Sequence, residues 1–187
     1  MTSLQFVWFI LIGVLFSGFF FLEGFDFGVG MLVKSFAKDS DERDVVIKTI
    51  GPHWDGNEVW LITAGGAMFA SFPMWYATLF SGFYLILFLI LAALIFRGVS
   101  FEFRANMKTD TWRSFWEWAS TIGSFCAAFL FGMLFTAMIA GMPIDKNGDM
   151  TAHFGDYVNL FSLVGGVAVT VLSLVHGLNF IRLKTSG

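Results

Sequence analysis

Several polar side chains stand at the start of an apolar stretch with the sequence GPHWDGNEVWLITAGGAMFASF (residues 51–72). These side chains are His53, Asp55, Asn57 and Glu58. The uninterrupted apolar run that follows, residues 59–72, covers only 14 residues, or ~21 Å of helix. The hydrocarbon core of a bilayer is ~30 Å thick. A helix that begins at Pro52 would be long enough, and proline suits the first helical position.

Such a helix would place Asp55 and Glu58 at or inside the membrane boundary. An ionisable group at depth costs about 3 kcal/mol, so these groups usually face protein or water and serve a function. In the alternative interpretation, both carboxylates only complement the positive end of the helix dipole. The sequence leaves both interpretations open.

Two further carboxylates, Glu23 and Asp26, lie three residues apart near the end of the first apolar segment and share a helical face. Arg97 lies near the end of the third segment. Because consecutive helices alternate in direction, these three groups should share one membrane layer with Asp55 and Glu58. Arg97 is the obvious cation for one or two of the acids, and at least one remaining acid should hold a proton. The alternative is a structural ion-pair cluster that locks the helices together.

The composition is that of a polytopic helical membrane protein. Of the 187 residues, 57% are hydrophobic and 13% charged, and the mean hydropathy is +0.74, which excludes a soluble globular domain. Nothing in the sequence indicates nucleic-acid binding. We predict an all-α fold with one transmembrane domain, residues 1–187, in which about five transmembrane helices form a four-helix bundle plus one further helix. The predicted helices cover residues 4–33, 52–72, 74–104, 115–140 and 157–181.

The basic residues predict the orientation. Ten of the 11 Lys and Arg residues follow helix one, lie between helices three and four, or follow helix five, and only Lys146 falls on the opposite side. Cytoplasmic loops are rich in Lys and Arg, so we predict the N-terminus outside and the C-terminus inside. A short amphipathic helix is expected from Asp41 to Lys48, and Gly24 and Gly28 should let another helix approach closely.

The histidines form no recognisable ligand motif. His53, His153 and His176 lie in different segments without HxxxH or HExxH spacing. Cys126, the single cysteine, cannot form an internal disulfide and is expected to be a small packing residue. The sequence therefore predicts no metal site and no haem bound by this chain alone.

Several motifs together identify a family. GFDFGVG, GPHWDGNEVWLITAGGAMFASFPMWYATLFSGFY, FRGVSFEFR and WRSFWEW closely resemble subunit II of bacterial cytochrome bd-type quinol oxidases. The resemblance covers the whole chain and is most specific in PHWDGNEVW. The motif residues there are Pro52, His53, Trp54, Asn57 and Trp60. Family members usually run nearly twice as long, so the chain resembles their N-terminal half.

The resemblance implies a multi-pass protein of the bacterial cytoplasmic membrane, with a partner, subunit I, that carries haem b and haem d, oxidises quinol and reduces O₂ to water. Subunit II typically holds no haem, supports subunit I and is implicated in supplying cytoplasmic protons. By motif position, Asp26, Asp55 and Arg97 match family residues of such a polar route, whereas Glu23 and Glu58 occupy variable positions. Some members also hold a quinone in subunit II. Small accessory subunits and membrane lipid are further expected partners.

Three functions stay open on the sequence. The favoured one is a non-haem oxidase subunit with a proton-conducting layer. The second is a purely structural subunit needed for assembly and haem insertion. The third is an independent proton-coupled transporter, which would be expected to show inverted repeats; none is visible in the five predicted helices.

Overall fold

The computed structural model describes residues 2–185, in which helices are joined by turns and loops and the one β element is an isolated bridge between Ile144 and Met150. The all-α prediction is therefore confirmed. The predicted single domain includes Met1, Ser186 and Gly187, which lie outside the described residues, and it stays a prediction. The helices are α1 (Ser3–Phe36), α2 (Ser40–Ile50), α3 (Trp54–Ser71), α4 (Pro73–Gly82), α5 (Tyr84–Asn106), α6 (Asp110–Ala140), α7 (Phe154–Tyr157) and α8 (Leu160–Lys184).

Four stretches of the described chain are long and apolar enough to cross a membrane: α1, α5, α6 and Phe154–Lys184, which contains α7 and α8. The 34 residues of α1 reach ~51 Å, so this helix is longer than a bilayer core is thick. α3 is not among the four stretches because its first turns carry Asp55, Asn57 and Glu58 within only 18 residues. The five-span count and the orientation of the termini stay predictions.

α3 does not begin at Pro52, so that prediction was wrong. α2 ends at Ile50, where the Gly51 N–H donates to the Ile47 carbonyl and the His53 N–H donates to the Ile50 carbonyl. These bonds satisfy carbonyls that the end of α2 leaves free. Residues 51–53 are thereby used to reverse the chain, and α3 begins at Trp54.

The predicted third helix is divided. Pro73 opens α4 and Phe83, with φ −92° and ψ 20°, separates α4 from α5. The connection between α5 and α6 is shorter than predicted, since only residues 107–109 lie outside helices. The predicted amphipathic helix corresponds to α2, which buries Val46 and Ile50 and is capped by Asp39. These differences change helix ends but leave the order of the long segments as predicted.

α1, α6 and α8 pack against one another at the centre, with α3 against α1 and α5 against α6. α1 and α8 meet at glycines: a Cβ at Gly28 would lie 2.8 Å from the Gly177 Cα and closer still to the Ser173 carbonyl. The expected close approach at Gly28 is confirmed, and its partner is α8. We call the end of the bundle where α2 lies the α2 end; it carries the turn at residues 51–53 and the connection at residues 107–109.

Candidate functional site

Arg97 is at the centre of a buried ionic cluster formed by α1, α3 and α5. Its Nη1 atom lies 2.5 Å from Glu23 Oε1 and 2.7 Å from Glu58 Oε1. Its Cζ atom also lies 5.1 Å from the centre of the Phe27 ring and 5.5 Å from that of Phe101. Two carboxylates and two aromatic faces thus surround one guanidinium, and both carboxylates are acids that the sequence had placed in this layer.

Asp26 lies in the same cluster but contacts Asn57 instead of the arginine. The Asn57 side-chain amide donates to Asp26 Oδ2 at 2.6 Å and, more weakly, to the Leu22 carbonyl at 3.5 Å. We call Arg97, Glu23, Asp26, Asn57 and Glu58 the Arg97 cluster. The motif asparagine is therefore a hydrogen-bond donor to a buried acid, and it ties the first turn of α3 to α1.

The Arg97 cluster holds more negative than positive charge. Three carboxylates accompany one guanidinium, so full ionisation would leave two unbalanced negative charges in a cluster in which Arg97, Glu23 and Asp26 are fully buried. In addition, Asp26 Oδ1, Glu23 Oε2 and the Nε and Nη2 atoms of Arg97 are buried without a hydrogen-bond partner in the structure. Buried charge without a partner is costly. The Arg97 cluster is therefore a polar site within the apolar bundle that has unused hydrogen-bonding atoms.

Asp55 lies apart from these groups. It is exposed on the first turn of α3, and its Oδ1 atom accepts a hydrogen bond from the adjacent Gly56 N–H at 2.8 Å. Glu58, three residues later, occupies the position beside Arg97 instead. Asp55 was expected to share a membrane layer with Arg97, and the sequence did not say which acids the arginine would pair with; Glu58 is the acid of α3 that does so, because the rotation of α3 turns its side chain inward.

The carboxylates nevertheless form a graded series from surface to interior. Asp55 is exposed, the Glu58 side chain is 23% exposed, and Glu23 and Asp26 are fully buried. A proton acceptor is thus present at each level between the surface of α3 and the inner face of α1.

The remaining motif residues hold the first turns of α3 in place. Trp54 packs on Phe101 with ring centres 5.2 Å apart, and Trp60 fills the space next to Gly18. Pro52 and His53 lie exposed in the turn before α3. Of the motif PHWDGNEVW, therefore, only Asn57 and Glu58 belong to the Arg97 cluster.

Comparisons with known proteins match nearly the whole chain to one family. Residues 4–187 match the family model described as cytochrome bd terminal oxidase subunit II. The chain belongs to this family. It is 52% identical over 187 residues to cytochrome bd ubiquinol oxidase subunit 2 of Bacillus subtilis (strain 168), covering 100% of this chain and 55% of the relative.

Other relatives agree. The chain is 42% identical over 188 residues to cytochrome bd-I ubiquinol oxidase subunit 2 of Escherichia coli (strain K12), and 44% identical over 187 residues to a probable cytochrome oxidase subunit 2 of Haemophilus influenzae. Each alignment covers 98% of this chain and 50% of the relative. The chain thus spans about half the length of the curated relatives it matches, and the family resemblance predicted from the motifs is confirmed.

In this subunit II chain a second ionic cluster lies at the α2 end, and the sequence had not indicated it. Glu117 of α6 is 2% exposed and lies 2.7 Å from Lys34 Nζ, 3.3 Å from Arg43 Nη1 and 3.0 Å from Arg104 Nη2. Arg104 also pairs with Asp44 of α2. We call these five residues the Glu117 cluster. Its only signal in the sequence was the acid within the WRSFWEW motif.

The three histidines of this subunit II chain lie at separate places in the fold. His53 and His153 are exposed, and His176 is half-buried beside the rings of Phe21 and Phe25. Within residues 2–185, no three His, Cys, Asp or Glu side chains converge into a metal site. These positions do not fit a haem, and the statement that the chain alone binds none stays a prediction.

Proposed function

We propose that this chain acts as a non-haem subunit of a membrane oxidase in which a haem-bearing partner oxidises quinol and reduces O₂, and that the Arg97 cluster conducts protons towards that partner. The relatives are called subunits of cytochrome bd ubiquinol oxidases, which supports the assignment to such a complex. The bacterial cytoplasmic membrane is the corresponding location. The haems would lie in the partner.

The observation that carries the proton route is the graded series of acids. A proton that arrives at exposed Asp55 would meet half-buried Glu58, then Glu23 across Arg97, and then Asp26. The α2 end bears nine of the ten basic residues counted above, all but Arg97, so it would face the cytoplasm under the positive-inside rule. The route would then open to the cytoplasm.

A second candidate function is supported by the ion pairs themselves. Arg97 connects α1, α3 and α5 through Glu23 and Glu58, so the Arg97 cluster would also serve to lock these helices for assembly. Removing one partner of a buried pair typically costs 3–5 kcal/mol. To distinguish conduction from scaffolding therefore requires a variant that alters proton transfer while keeping the hydrogen bonds.

Asp26→Asn is that variant. An asparagine at this position retains an oxygen that accepts the Asn57 amide, which lies 2.6 Å from Asp26 Oδ2, but it cannot carry a proton. If Asp26 relays protons, the complex should assemble with normal haem content while quinol-oxidase turnover falls roughly a hundredfold, as is typical for loss of a positioned proton-transfer group.

The measurement is haem content and oxygen consumption in the same membranes. Asp156→Asn, on the short helix α7, which buries none of its residues, is the matched control and should change neither quantity. Loss of haem together with turnover would favour the scaffolding function. Full turnover in Asp26→Asn would refute the proton route. If no haem-containing subunit co-purifies with the chain, the oxidase assignment is wrong.

A further inference from the structure

Two buried hydroxyls lie between the two ionic clusters, along the contact of α1 with α6. Ser120 and Ser124 are 1% and 0% exposed, and neither Oγ atom has a hydrogen-bond partner in the structure. A serine in a helix can satisfy its hydroxyl by bonding to the carbonyl four residues earlier. Neither serine does so, and an unpaired buried hydroxyl is costly. The two unpaired hydroxyls therefore indicate that a polar ligand binds beside them.

Both hydroxyls face the same point on α1. A Cβ placed on Gly30 would lie 3.6 Å from Ser120 Oγ and would overlap Ser124 Oγ. The two oxygens are consequently at most about 6 Å apart, the span that one bridging water covers. The Thr121 hydroxyl donates to the Gly30 carbonyl at 3.2 Å and fixes this turn of α6 against α1.

Ser120 and Ser124 form a line along α6, and polar or charged residues continue this line in both directions. One turn towards the α2 end, Lys34 Nζ bonds Glu117 of the Glu117 cluster. In the other direction, Gly123 lies against Arg97, because a Cβ there would be 3.1 Å from the Arg97 Cβ. Ser124 therefore lies next to the turn that touches Arg97.

The far end of the line also lacks hydrogen-bond partners. Asp26 lies one turn beyond Gly30 on α1, and its Oδ1 atom is buried and unpaired, as is Arg97 Nη2. From Glu117 to Ser124 the rise along α6 is ~10.5 Å, a length that two hydroxyls and about two water molecules would bridge.

We propose that Gly30, Ser120 and Ser124 line a buried water-binding site that joins the Glu117 cluster to the Arg97 cluster, and that protons exchange along it between the α2 end and Asp26. We call the row of water molecules and the two serine hydroxyls the water file. Each water accepts one proton and passes on another, so the file gains and loses none. Glu117 and Asp44 offset two of the three cations at the outer end. This inference rests on the proposed proton route, to which it adds a second connection that does not pass through Asp55 and that carries most of the protons.

The test uses the intact complex purified through this chain, with Ser120→Ala and Ser124→Ala combined. The file predicts ordered water density within hydrogen-bond distance of both serine hydroxyls in a high-resolution map of the unaltered complex, and loss of that density in the double variant. Turnover should fall about five- to tenfold with unchanged haem content, since each alanine removes one link of the file. Ser173→Ala, a buried serine on α8, is the matched control and should keep full turnover.

The outcomes separate the two proposals. If the double variant keeps full turnover while Asp26→Asn loses it, the water file is refuted and the route through Asp55 and Glu58 stands. If both keep full turnover, both proposals fall. Serine hydroxyls bonded directly to helix carbonyls, with no water density beside them, would also overturn the file. Should the double variant not assemble, Ser124→Ala alone and the map of the unaltered complex decide.

Discussion

Arg97→Gln should strongly destabilise the protein. The change removes the cation that lies 2.5 Å from Glu23 and 2.7 Å from Glu58; Arg97 and Glu23 have no exposed surface. Glutamine also cannot reproduce the cation–π contacts with Phe27 and Phe101.

The magnitude follows from burial. Breaking a buried ion pair by removing one partner costs about 3–5 kcal/mol, because the other charge is left uncompensated. This corresponds to about two to four powers of ten in the folding equilibrium constant. We expect the upper part of the range, since one arginine serves two carboxylates.

The assay is the yield of haem-containing complex and its midpoint of thermal loss of haem absorbance. A double change, Arg97→Gln with Glu23→Gln, should recover part of the lost stability because it removes one uncompensated carboxylate. Asp55→Asn, at the exposed position on α3, should cost no more than about 0.5 kcal/mol and should add independently to Arg97→Gln. Unchanged yield and midpoint in Arg97→Gln, or coupling of Asp55 to Arg97 as strong as that of Glu23, would refute this account.

Three further changes test other parts of the fold. Glu117→Gln should weaken the attachment of α2 by about 1.5–3 kcal/mol, because Arg43 of α2 loses its carboxylate partner on α6; limited proteolysis of α2 would measure it. Gly28→Ala should cost about 1–3 kcal/mol by forcing α1 and α8 apart, measured as a lower melting temperature. Cysteines introduced at Ser40 and Asn147 should be labelled from the cytoplasmic and external sides, respectively, if the positive-inside rule holds.

Each of these tests has a control or a contrary outcome. Glu102→Gln, on an exposed face of α5, should leave α2 protected. Gly13→Ala should not destabilise the protein, since a Cβ at Gly13 would have nothing within 4 Å. Equal melting temperatures for the alanine variants at Gly28 and Gly13 would contradict tight packing of α1 on α8. Labelling of Ser40 from the outside alone would reverse the orientation.

Much of the fold could be predicted because apolar length and the positions of charges are local properties. The long apolar segments, the surface helix α2 and the close approach at Gly28 were all visible in the sequence. The first residue of α3 was not, because Pro52 suits the first position of a helix and a turn equally well. The bonds that Gly51 and His53 make to the end of α2 decide between these possibilities.

The sequence alone was enough to show that acids within the apolar segments need a cation, and Arg97 was the residue that could supply it. It could not determine which acid of α3 would be inside. Asp55 and Glu58 lie only about 60° apart around a helix of 3.6 residues per turn, so a small rotation exchanges their environments. The turn at residues 51–53 and the packing of Trp54 on Phe101 fix that rotation. Only the tertiary structure could show the Glu117 cluster, because Glu117 pairs with Lys34 and Arg43, which lie more than 70 residues away in the chain.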